Sequence, residues 1–585
     1  MRVNLSDRST KVIPLEPDRL LRSLGGAGLG VELLLETCSA ESPALAPESS
    51  LFFVFSPLVG SPLTTSAKFA VVSKSPLTGR INDSLAGSSF AIAGKRTGFD
   101  AIEIVGRSEN PVLLLVENGQ VRLESAKAIW GRTVPETDRW MRDHYGGRYR
   151  VASIGPAGER LVHFATISHD GRHAGRGGSG AVLGSKNLKA IGLAGDRQVQ
   201  WAAPMELNRY AKNLSTQSLG EATAKYRELG TATNLLTFNR LKCLPTRNFQ
   251  EDHFEGALRL APESLVEERK KVRGSCAACT IGCEHLYEIK AKKNPTGVEE
   301  EESVSVRLEY ESLFALGPMC GIQDPDAVLA AARFCDEYGL DTISAGGTIA
   351  FAMHCAQENW IDEDFCFGNP SHLMELLRLI SLREGIGGRL ANGSRDFASW
   401  VGGESLDYAP QIKGMEIPGY DPRKLTSMAL GFAVGSRGAD HNKSSAYELD
   451  FREQAMDRFS EDQIKEIVQL EDKAAVMDSL ILCKFLRGVF DDFFIETSQI
   501  LKMVTGWDLD GNGVREIGKT IIENKKRFNI RAGWTPKEDQ LPKSFYGSDS
   551  PEESGHLTES ELKKAITRYN SVRGWSPDGY PTEAQ

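Results

Sequence analysis

The chain lacks long hydrophobic runs, and it lacks an excess of positive charge. Its most apolar early stretch, Leu51–Val59, is too short to span a bilayer and predicts a buried strand instead. The formal net charge is −10. Nucleic acids and anionic membranes bind basic surfaces, so neither is expected as a partner. The first twenty residues contain no apolar signal segment and no arginine pair, which predicts a cytoplasmic protein without membrane insertion.

A disulfide framework is not expected either. The chain has 585 residues and ten cysteines, and a large protein without an export signal keeps its thiols reduced. Three of the cysteines are closely spaced, which indicates metal binding, whereas scattered thiols are usually inert core residues. At roughly 100–200 residues per domain, the length predicts about three or four domains.

Short apolar runs separated by glycine, proline and asparagine dominate the first two hundred residues, and apolar residues at helical spacing dominate the rest. The predicted strands are Leu51–Val59, Phe69–Val72, Ala101–Val105 and Val112–Val116. The predicted helices are Glu206–Gln217, Ala327–Tyr338, Ser371–Arg383 and Glu461–Met477. The sequence therefore predicts an α+β fold, in which a β-rich N-terminal domain (1–203) precedes two mainly α-helical domains (204–410 and 411–585).

Three polar segments are expected to lie outside the domain cores. The acidic run Glu299–Glu302 is typical of a solvated loop. Residues 402–424 contain several glycines and prolines and predict a loop between two helical domains. Residues 541–585 are rich in proline, glycine, serine and acid, and they predict a mobile or surface-wrapping tail.

The strongest chemical signal is Cys276-Ala-Ala-Cys279-Thr-Ile-Gly-Cys283. Three thiolates at this spacing can converge on one metal centre, and the small residues between them let the backbone come close. The pattern favours a [4Fe–4S] cluster, whose fourth cysteine can come from elsewhere in the chain. A structural zinc site usually shows paired two-residue spacings or histidines, and ordinary core thiols are the remaining alternative.

The candidate fourth ligand, Cys483, ends a segment that has a counterpart earlier in the chain. The two segments are Asp336–Asp341 and Asp478–Cys483, and both read D-x-x-(G/I)-L-(C/D) after a predicted helix. A carboxylate beside a turn can accept paired N–H bonds from a heterocycle. Either segment alone is an ordinary helix end, and the repetition favours a functional role.

The glycine-rich run Gly175–Gly184, followed by Lys186, is consistent with an anion site, because glycines let backbone amides approach an anion closely. It is not a P-loop, since the G-x-x-x-x-G-K-[ST] spacing is absent.

With these motifs in view, the sequence resembles the aldehyde:ferredoxin oxidoreductases, a family of tungstopterin enzymes, over nearly its whole length. Besides the cysteine triad, the two paired segments and the glycine-rich run, which extends to Lys189, five motifs carry the resemblance: Ser75–Gly79, Ala152–Glu159, Glu309–Ser312, Ile417–Arg423 and Ser436–His441.

The resemblance implies a tungsten or molybdenum ion held by the four sulfurs of two pterins, whose phosphates a Mg²⁺ ion links. The N-terminal domain would cradle these pterins. It implies that Cys276, Cys279, Cys283 and Cys483 bind a [4Fe–4S] cluster. The implied pterin-contacting residues are Lys68, Gly87, Arg172, Asp336, Leu340, Asp341, Lys443, Asp478 and Leu482.

The sequence departs from the family at three places. The family commonly has arginine and asparagine at the positions of Lys68 and Leu85. Lysine keeps the charge without the bidentate fork, and leucine keeps no hydrogen bond. The hydroxyl groups of neighbouring serines, Ser84, Ser88 and Ser89, or the ammonium of Lys68, are then expected to satisfy the pterin edge. Some members bind a lone iron at a dimer interface through a Glu-x-x-His pair. This chain has Ala330 and Arg333 there, so that iron is not expected, although a homodimer is compatible with the resemblance.

The resemblance also implies that Glu311 and His441 form the acid/base pair for oxidising an aldehyde to a carboxylic acid, with Glu309 as the alternative to Glu311. Electrons would leave through the cluster to ferredoxin or a similar iron–sulfur carrier. Two other functions stay open at this point. One is reduction of aromatic acyl-CoA thioesters, as in distant relatives, and the other is an iron–sulfur electron-transfer subunit with a decayed pterin site.

Overall fold

The computed structural model describes residues 1–39, 41–289, 304–452, 458–547 and 556–582. The predicted acidic loop Glu299–Glu302 lies outside the described residues. No helix of the described part of the chain is both long and apolar enough to cross a membrane.

Two six-stranded mixed sheets form the N-terminal domain. The first sheet has the order β2-β1-β6-β3-β4-β5. Its strands are β1 (Arg2–Asn4), β2 (Ser9–Lys11), β3 (Leu51–Val54), β4 (Lys68–Lys74), β5 (Ile81–Gly87) and β6 (Ala101–Val105). Strand β3 is fully buried, because helices cover one face and the second sheet packs toward the other.

The second sheet has the order β11-β10-β9-β12-β7-β8. Its strands are β7 (Val112–Glu117), β8 (Gln120–Ser125), β9 (Arg150–Ser153), β10 (Ile167–His169), β11 (Arg172–Ala174) and β12 (Leu188–Ala194). Apolar residues from both sheets form one shared core.

The helices of the N-terminal domain are α1 (Pro17–Ser23), α2 (Gly26–Thr37), α3 (Ser89–Arg96), α4 (Val134–Tyr145), α5 (Pro156–Glu159) and α6 (Ser179–Ser185). Helix α2 packs against the segment around Ser479, which is distant in sequence. A Cβ on Gly26 would lie 2.3 Å from the carbonyl oxygen of Ser479, so only glycine lets the two backbones approach this closely.

The next region is helical and carries one small sheet next to the cysteine triad. Its helices are α7 (Pro204–Gln217), α8 (Ala224–Glu228), α9 (Asn234–Arg240), α10 (Ala257–Leu260), α11 (Pro262–Glu268), α12 (Tyr310–Leu316), α13 (Pro325–Tyr338), α14 (Thr342–Gln357), α15 (Pro370–Leu382), α16 (Gly387–Leu390), α17 (Ser394–Val401) and α18 (Ser405–Tyr408). The sheet contains β13 (Lys271–Gly274), β14 (Glu284–Glu288) and β15 (Ser305–Arg307).

The last region begins with a two-stranded hairpin and continues as helices. The strands are β16 (Gln411–Ile412) and β17 (Met415–Glu416), and the helices are α19 (Thr426–Val434), α20 (His441–Ser444), α21 (Tyr447–Asp450), α22 (Glu461–Leu480), α23 (Phe493–Thr505), α24 (Gly511–Arg531) and α25 (Glu559–Arg573).

The predicted α+β class, with a β-rich N-terminal part and helices after it, is confirmed. The predicted strands and helices exist with ends shifted by a few residues, except that the strand beginning at Leu51 ends at Val54. Residues 402–424 are not wholly a loop, because they contain α18 and the hairpin.

The prediction of a mobile tail is wrong for residues 556–582. Thr558 caps α25 through a capping box with Glu561, and the helix buries Leu562, Ala565 and Tyr569 in the main helical core. Apolar residues at helical spacing hold the segment in place, although its overall composition is polar.

Candidate active site

A short turn at residues 336–341, called turn 1 here, joins α13 to α14. Gly339 has a φ of +78°, and Gly339 and Leu340 both donate their N–H groups to the carbonyl of Cys335, at 2.9 and 2.8 Å. A left-handed residue that accepts the end of a helix in this way is a common C-cap. Asp341 then caps the start of α14 with its side chain.

Residues 478–483, called turn 2, close α22 by the same pattern. Ile481 has a φ of +66°, and Ile481 and Leu482 both donate to the carbonyl of Met477. Cys483 occupies the sixth position, where turn 1 has an aspartate. The two segments that the sequence pairs therefore have the same backbone structure.

Both turns dock on the N-terminal domain. In turn 1, the N–H of Asp341 donates to the carbonyl of Phe164 at 3.0 Å. In turn 2, the carbonyl of Leu480 accepts the hydroxyl of Ser56 at 2.7 Å. The N-terminal domain thus fixes both turns, although they belong to different helical regions.

A cavity of about 340 Å³ lies between turn 2 and the N-terminal domain. The four cysteines predicted as cluster ligands line it: Cys276, Cys279, Cys283 and Cys483. In the described part of the chain, no three His, Cys, Asp or Glu side chains converge closely enough to hold a single metal ion. The four cysteines that the resemblance assigns to one cluster therefore share one cavity.

Two consecutive threonines of the N-terminal domain hold the cysteine loop and the fourth cysteine. The N–H of Thr65 donates to the carbonyl of Ala278 at 2.7 Å, and its hydroxyl accepts the N–H of Cys483 at 3.4 Å. The hydroxyl of Thr64 accepts another N–H of the loop, that of Thr280, at 3.0 Å. One dipeptide therefore brings together cysteines that are distant in sequence.

Lys68 and Gly87 face each other across β4 and β5 and line the same cavity. A Cβ on Gly87 would lie 3.1 Å from the sulfur of Cys276, so glycine allows the strand to approach the thiol. Burial lowers the pKa of Lys68, but the nearby Cys483 and Cys276 outweigh this effect and raise it overall. The ammonium of Lys68 therefore keeps its charge beside the cysteines.

Leu85 also lines this cavity and packs against an apolar cluster that contains residues of α2 and β4. The hydroxyls of the neighbouring serines are already bonded: Ser84 to the carbonyl of Arg176, Ser88 to the N–H of Ala277, and Ser89 to Asp170. Ser84 and Ser89 thus already use their hydroxyl donors, whereas Ser88 only accepts, so Ser88 and Lys68 remain as candidate donors to the pterin edge.

Asp336 and Arg172, both predicted to contact a pterin, each have a protein partner. An oxygen of Asp336 lies 3.0 Å from Nε2 of His173, and Arg307 lies 3.7 Å from the other oxygen. Arg172 donates to Glu284 at 2.6 Å. Arg172, His173 and Arg307 line the cysteine cavity as well, so the cavity extends toward turn 1.

Lys443 lies between two buried carboxylates, 2.7 Å from Asp83 and 2.9 Å from Asp478. Lys525 binds Asp83 at 2.7 Å, and Lys484 binds the other oxygen of Asp478 at 2.9 Å. Burial alone would raise the pKa of Asp83, but Lys443 and Lys525 hold it well below its usual value. A buried ion network thus forms the wall beside turn 2.

Sequence reasoning missed several members of this wall. Arg437, whose guanidinium donates to the carbonyl of Asp83, was visible because it lies inside the Ser436–His441 motif. Asp83 and Lys525 carry no local signal, since they are separated by 442 residues and meet only in the fold.

The interpretation of Lys186 as part of an anion site is wrong. Its side chain is fully buried, and its ammonium donates to the carbonyls of Pro47 and Ser49 at 3.0 and 2.6 Å. Two of its three donors are bonded to backbone carbonyls, so it serves the packing of the N-terminal domain.

Glu311, in the first turn of α12, and His441, the first residue of α20, come together. Oε1 of Glu311 lies 3.7 Å from Nε2 of His441, and the N–H of Gly419 donates to Oε2 of Glu311 at 3.1 Å. The imidazole stacks on Tyr420 with ring centroids 5.0 Å apart. A separation of 3.7 Å is too long for a direct hydrogen bond, and Nε2 of His441 instead lies 2.9 Å from the side-chain amide nitrogen of Asn442.

Burial shifts the pKa values of this pair in opposite directions. It raises the pKa of Glu311 to about 8 and lowers the pKa of His441 to about 4. At neutral pH the carboxyl therefore holds a proton that it can donate, and the imidazole is free to accept one. Glu309, the alternative base, lines the cysteine cavity instead.

Several buried polar atoms around the two turns have no hydrogen-bond partner within the described residues. They are Oδ1 of Asp83, Nε of Arg437, Oε1 of Glu311 and Nδ1 of His441. Because buried polar atoms are ordinarily bonded, this set indicates that a polar group binds here. Its mixture of donors and acceptors suits a heterocycle with amide-like edges, such as a pterin.

Comparison with known proteins places the chain in a family. Residues 1–195 match the N-terminal domain of aldehyde ferredoxin oxidoreductase, and residues 207–585 match domains 2 and 3. The tungsten-containing aldehyde ferredoxin oxidoreductase of Pyrococcus furiosus is 35% identical over 606 residues, which cover 99% of this chain and 96% of that protein. The enzyme of the same name from Thermococcus kodakarensis is 35% identical over 607 residues, with the same coverage.

Two further proteins are more distant. The aliphatic sulfonate oxidoreductase, WOR-like subunit, of Pyrococcus furiosus is 27% identical over 99% of this chain and 95% of its own length. The BamBC active site complex of benzoyl coenzyme A reductase, solved with 1,5-dienoyl-CoA, matches with a TM-score of 0.83 at 21% identity. That match covers 100% of this chain and 95% of the solved chain, and it bears on the fold alone.

The matched family models and relatives show that the protein is an oxidoreductase. More narrowly, the chain belongs to the aldehyde ferredoxin oxidoreductase family, as its motifs predicted. Its curated relatives are named for tungsten, so the family implies a tungstopterin enzyme.

Proposed function

We propose that this protein oxidises aldehydes to carboxylic acids and passes the electrons through a [4Fe–4S] cluster to ferredoxin or a similar carrier. The observation that carries the proposal is the position of His441. The short helix α20 places His441 3.7 Å from Glu311, and the same helix carries Lys443, which binds Asp478 of turn 2. Helix α20 therefore connects the proposed acid/base pair to turn 2, which is expected to contact a pterin.

The residues fit the cofactors of the family. Cys276, Cys279, Cys283 and Cys483 would hold the [4Fe–4S] cluster, and the two turns would each hold one pterin edge. The unpartnered polar atoms between the turns, on Asp83 and Arg437 among others, support this assignment. Tungsten, or molybdenum in its place, and Mg²⁺ would enter the site with the pterins, and the tungsten or molybdenum would supply the redox chemistry.

The overall reaction joins an aldehyde and water to give a carboxylate, three protons and two electrons. When bound, the metal centre would supply the acceptor for the two electrons of the aldehyde C–H bond, whose proton is one of the three released. Glu311, protonated at neutral pH, would donate a hydrogen bond to the aldehyde oxygen and polarise the carbonyl. His441, neutral at the same pH, would remove a proton from the water as its oxygen bonds to the carbonyl carbon.

No lone iron is proposed at the positions of Ala330 and Arg333. Arg333 instead pairs with Glu337 one helical turn away, at 2.7 Å. Iron content tests the prediction that this iron is missing. The mass of the particle in solution tests whether the protein is a homodimer.

Metal analysis of anaerobically purified protein, together with aldehyde-dependent reduction of a viologen dye, tests the proposal. We expect one tungsten or molybdenum and four irons per chain, and dye reduction that depends on the aldehyde. Iron without tungsten or molybdenum would indicate an electron-transfer subunit with a decayed pterin site. A metal-loaded enzyme that ignores aldehydes but reduces an aromatic acyl-CoA would favour the second activity, which the benzoyl coenzyme A reductase fold makes worth assaying.

A further inference from the structure

Arg176 lies in the loop between β11 and α6, and its side chain is 11% exposed. Its carbonyl accepts the hydroxyl of Ser84 at 2.8 Å and a guanidinium N–H of Arg437 at 2.9 Å. The backbone of Arg176 is therefore fixed to β5 and to the motif that precedes His441. The sequence motifs assign no role to the side chain of Arg176.

The guanidinium of Arg176 contacts three separate segments. Nε lies 3.4 Å from Oδ2 of Asp341 in turn 1. One terminal nitrogen donates to the carbonyl of Ala439, and the other donates to the carbonyl of Glu416. A planar guanidinium with five donors can hold three acceptors at once, which an ammonium on a flexible stem does less well.

Each of the two carbonyls belongs to the backbone that supports one member of the acid/base pair. Ala439 precedes Asp440, whose side chain caps α20 and so sets the start of the helix at His441. Glu416 leads into the segment in which the N–H of Gly419 binds Glu311. The pair comes from two distant elements, and one side chain bonds to the supports of both.

We propose that Arg176 is a positioning residue that sets the distance between Glu311 and His441 by holding both supporting backbone segments. The inference rests on the proposed acid/base role of the pair. Its positive charge also acts on the pair, opposing protonation of both Glu311 and His441. The other charges acting on the pair are Asp341, Asp440, Arg437 and Arg487.

Two substitutions separate the geometric effect from the electrostatic one. Arg176→Lys keeps the charge but has a single nitrogen in place of the planar fork, so it holds the three separate segments less well, and kcat should fall without a shift of the pH profile. Arg176→Gln removes the charge as well, so kcat should fall and both limbs of the profile should move to higher pH. A displacement of about 1 Å between reacting groups can cost roughly 10²-fold, which is the loss of kcat expected for Gln, with KM less affected.

Arg80 provides a matched control. It is 12% exposed, and it too joins distant segments, through Glu538 and the carbonyl of Ala532. It belongs to no part of the proposed site. Arg80→Gln should lower the unfolding temperature about as much as Arg176→Gln, while its kcat and pH profile stay as in the wild type.

The experiment measures metal content, kcat, KM and the pH profile of each holoenzyme, and the crystal structure of Arg176→Gln. We expect wild-type tungsten content and a Glu311–His441 distance different from 3.7 Å. A kcat no lower than that of Arg80→Gln, an unchanged distance, or loss of tungsten from Arg176→Gln would overturn the proposal. If the wild type does not oxidise aldehydes, the proposed function fails, but the distance in the variant still tests the positioning role.

Discussion

Turn 1 and turn 2 have the same backbone, but different residues stabilise the left-handed position. In turn 1 that residue is Gly339, and a Cβ there would lie 3.0 Å from the backbone nitrogen of Gly155. In turn 2 it is Ile481, a β-branched residue for which a positive φ is strained. The side chain of Ile481 is fully buried in an apolar cluster with Phe528, and this burial offsets the strain. The comparison shows that one turn geometry can be fixed by close backbone approach or by side-chain burial.

The two turns differ chemically at their sixth position, which is Asp341 in turn 1 and Cys483 in turn 2. Asp341 in turn 1 contacts Arg176, and through it the supports of the acid/base pair. Cys483 in turn 2 faces the cavity of the other cysteines. On the proposed function, turn 1 belongs to the side where the substrate reacts, and turn 2 belongs to the side where electrons leave.

The largest expected effect is loss of the cluster when Cys483, the residue that distinguishes turn 2 from turn 1, is replaced. Cys483→Ser should abolish the [4Fe–4S] signal in electron paramagnetic resonance, because it removes one of four ligands. Cys276→Ser should do the same. The exposed Cys366 lies outside the cavity, so Cys366→Ser is the control and should retain the signal. A full cubane signal in Cys483→Ser would show that the fourth ligand is another residue.

The next effect concerns the turn 1 side. His441→Ala and Glu311→Ala should each lower turnover by roughly 10²–10⁴, the usual contribution of general acid–base catalysis. Metal and cluster content should stay at wild-type levels, because neither residue lies at the cysteines. Near-normal turnover would remove the residue from the mechanism, and loss of tungsten would give it a cofactor-holding role.

The pH profile of kcat should reveal the opposite pKa shifts of the pair. Activity needs protonated Glu311 and neutral His441, so it should fall above about pH 8 as Glu311 loses its proton, and below about pH 4 as His441 gains one. Glu311→Gln keeps a hydrogen-bond donor that does not titrate. That variant should lose the alkaline limb of the pH profile while keeping part of the turnover. An unchanged alkaline limb in the variant would show that another group causes it.

A smaller effect tests how each turn is stabilised. Ile481→Ala should destabilise the protein by roughly 2–5 kcal/mol, the usual cost of truncating a buried isoleucine. Gly339→Ala should cost roughly 1–3 kcal/mol, from the positive φ and from contact with Gly155. Gly574, at φ +74° with open space around it, is the control, and Gly574→Ala should cost less than Gly339→Ala. Denaturation midpoints measure all three, and a neutral Ile481→Ala would contradict the role of burial.

The smallest effect concerns the departures from the family beside turn 2. Leu85 packs against apolar residues of α2 and β4, so the double change Lys68→Arg with Leu85→Asn puts an amide into an apolar contact. A buried polar group without a partner costs about 1–3 kcal/mol, and cofactor retention should fall accordingly. Lys68→Arg alone is the control and should be tolerated. Equal or better cofactor retention in the double variant would show that the cradle was not rebuilt around leucine.

Features with a local pattern could be predicted from the sequence. The cysteine triad and the paired Asp336–Asp341 and Asp478–Cys483 segments were found because their spacing is itself the signal. The contact of Asp83 with Lys525 could not be found, since two single residues 442 positions apart show no periodicity. Helix α25 was missed because exposed polar residues outnumber its buried ones, and composition averages over both faces.

The dipeptide Thr64–Thr65 has a consequence for how the enzyme is made. It bonds to Thr280 across 216 residues and to Cys483 across 418 residues. A growing chain on the ribosome therefore has the threonines and three of the cysteines long before the fourth exists. On the proposed ligand set, iron–sulfur insertion has to wait until synthesis has passed Cys483 and α22 has docked. On that ligand set, cluster insertion follows synthesis of turn 2, and a chain truncated before Cys483 would lack a complete set of cluster ligands.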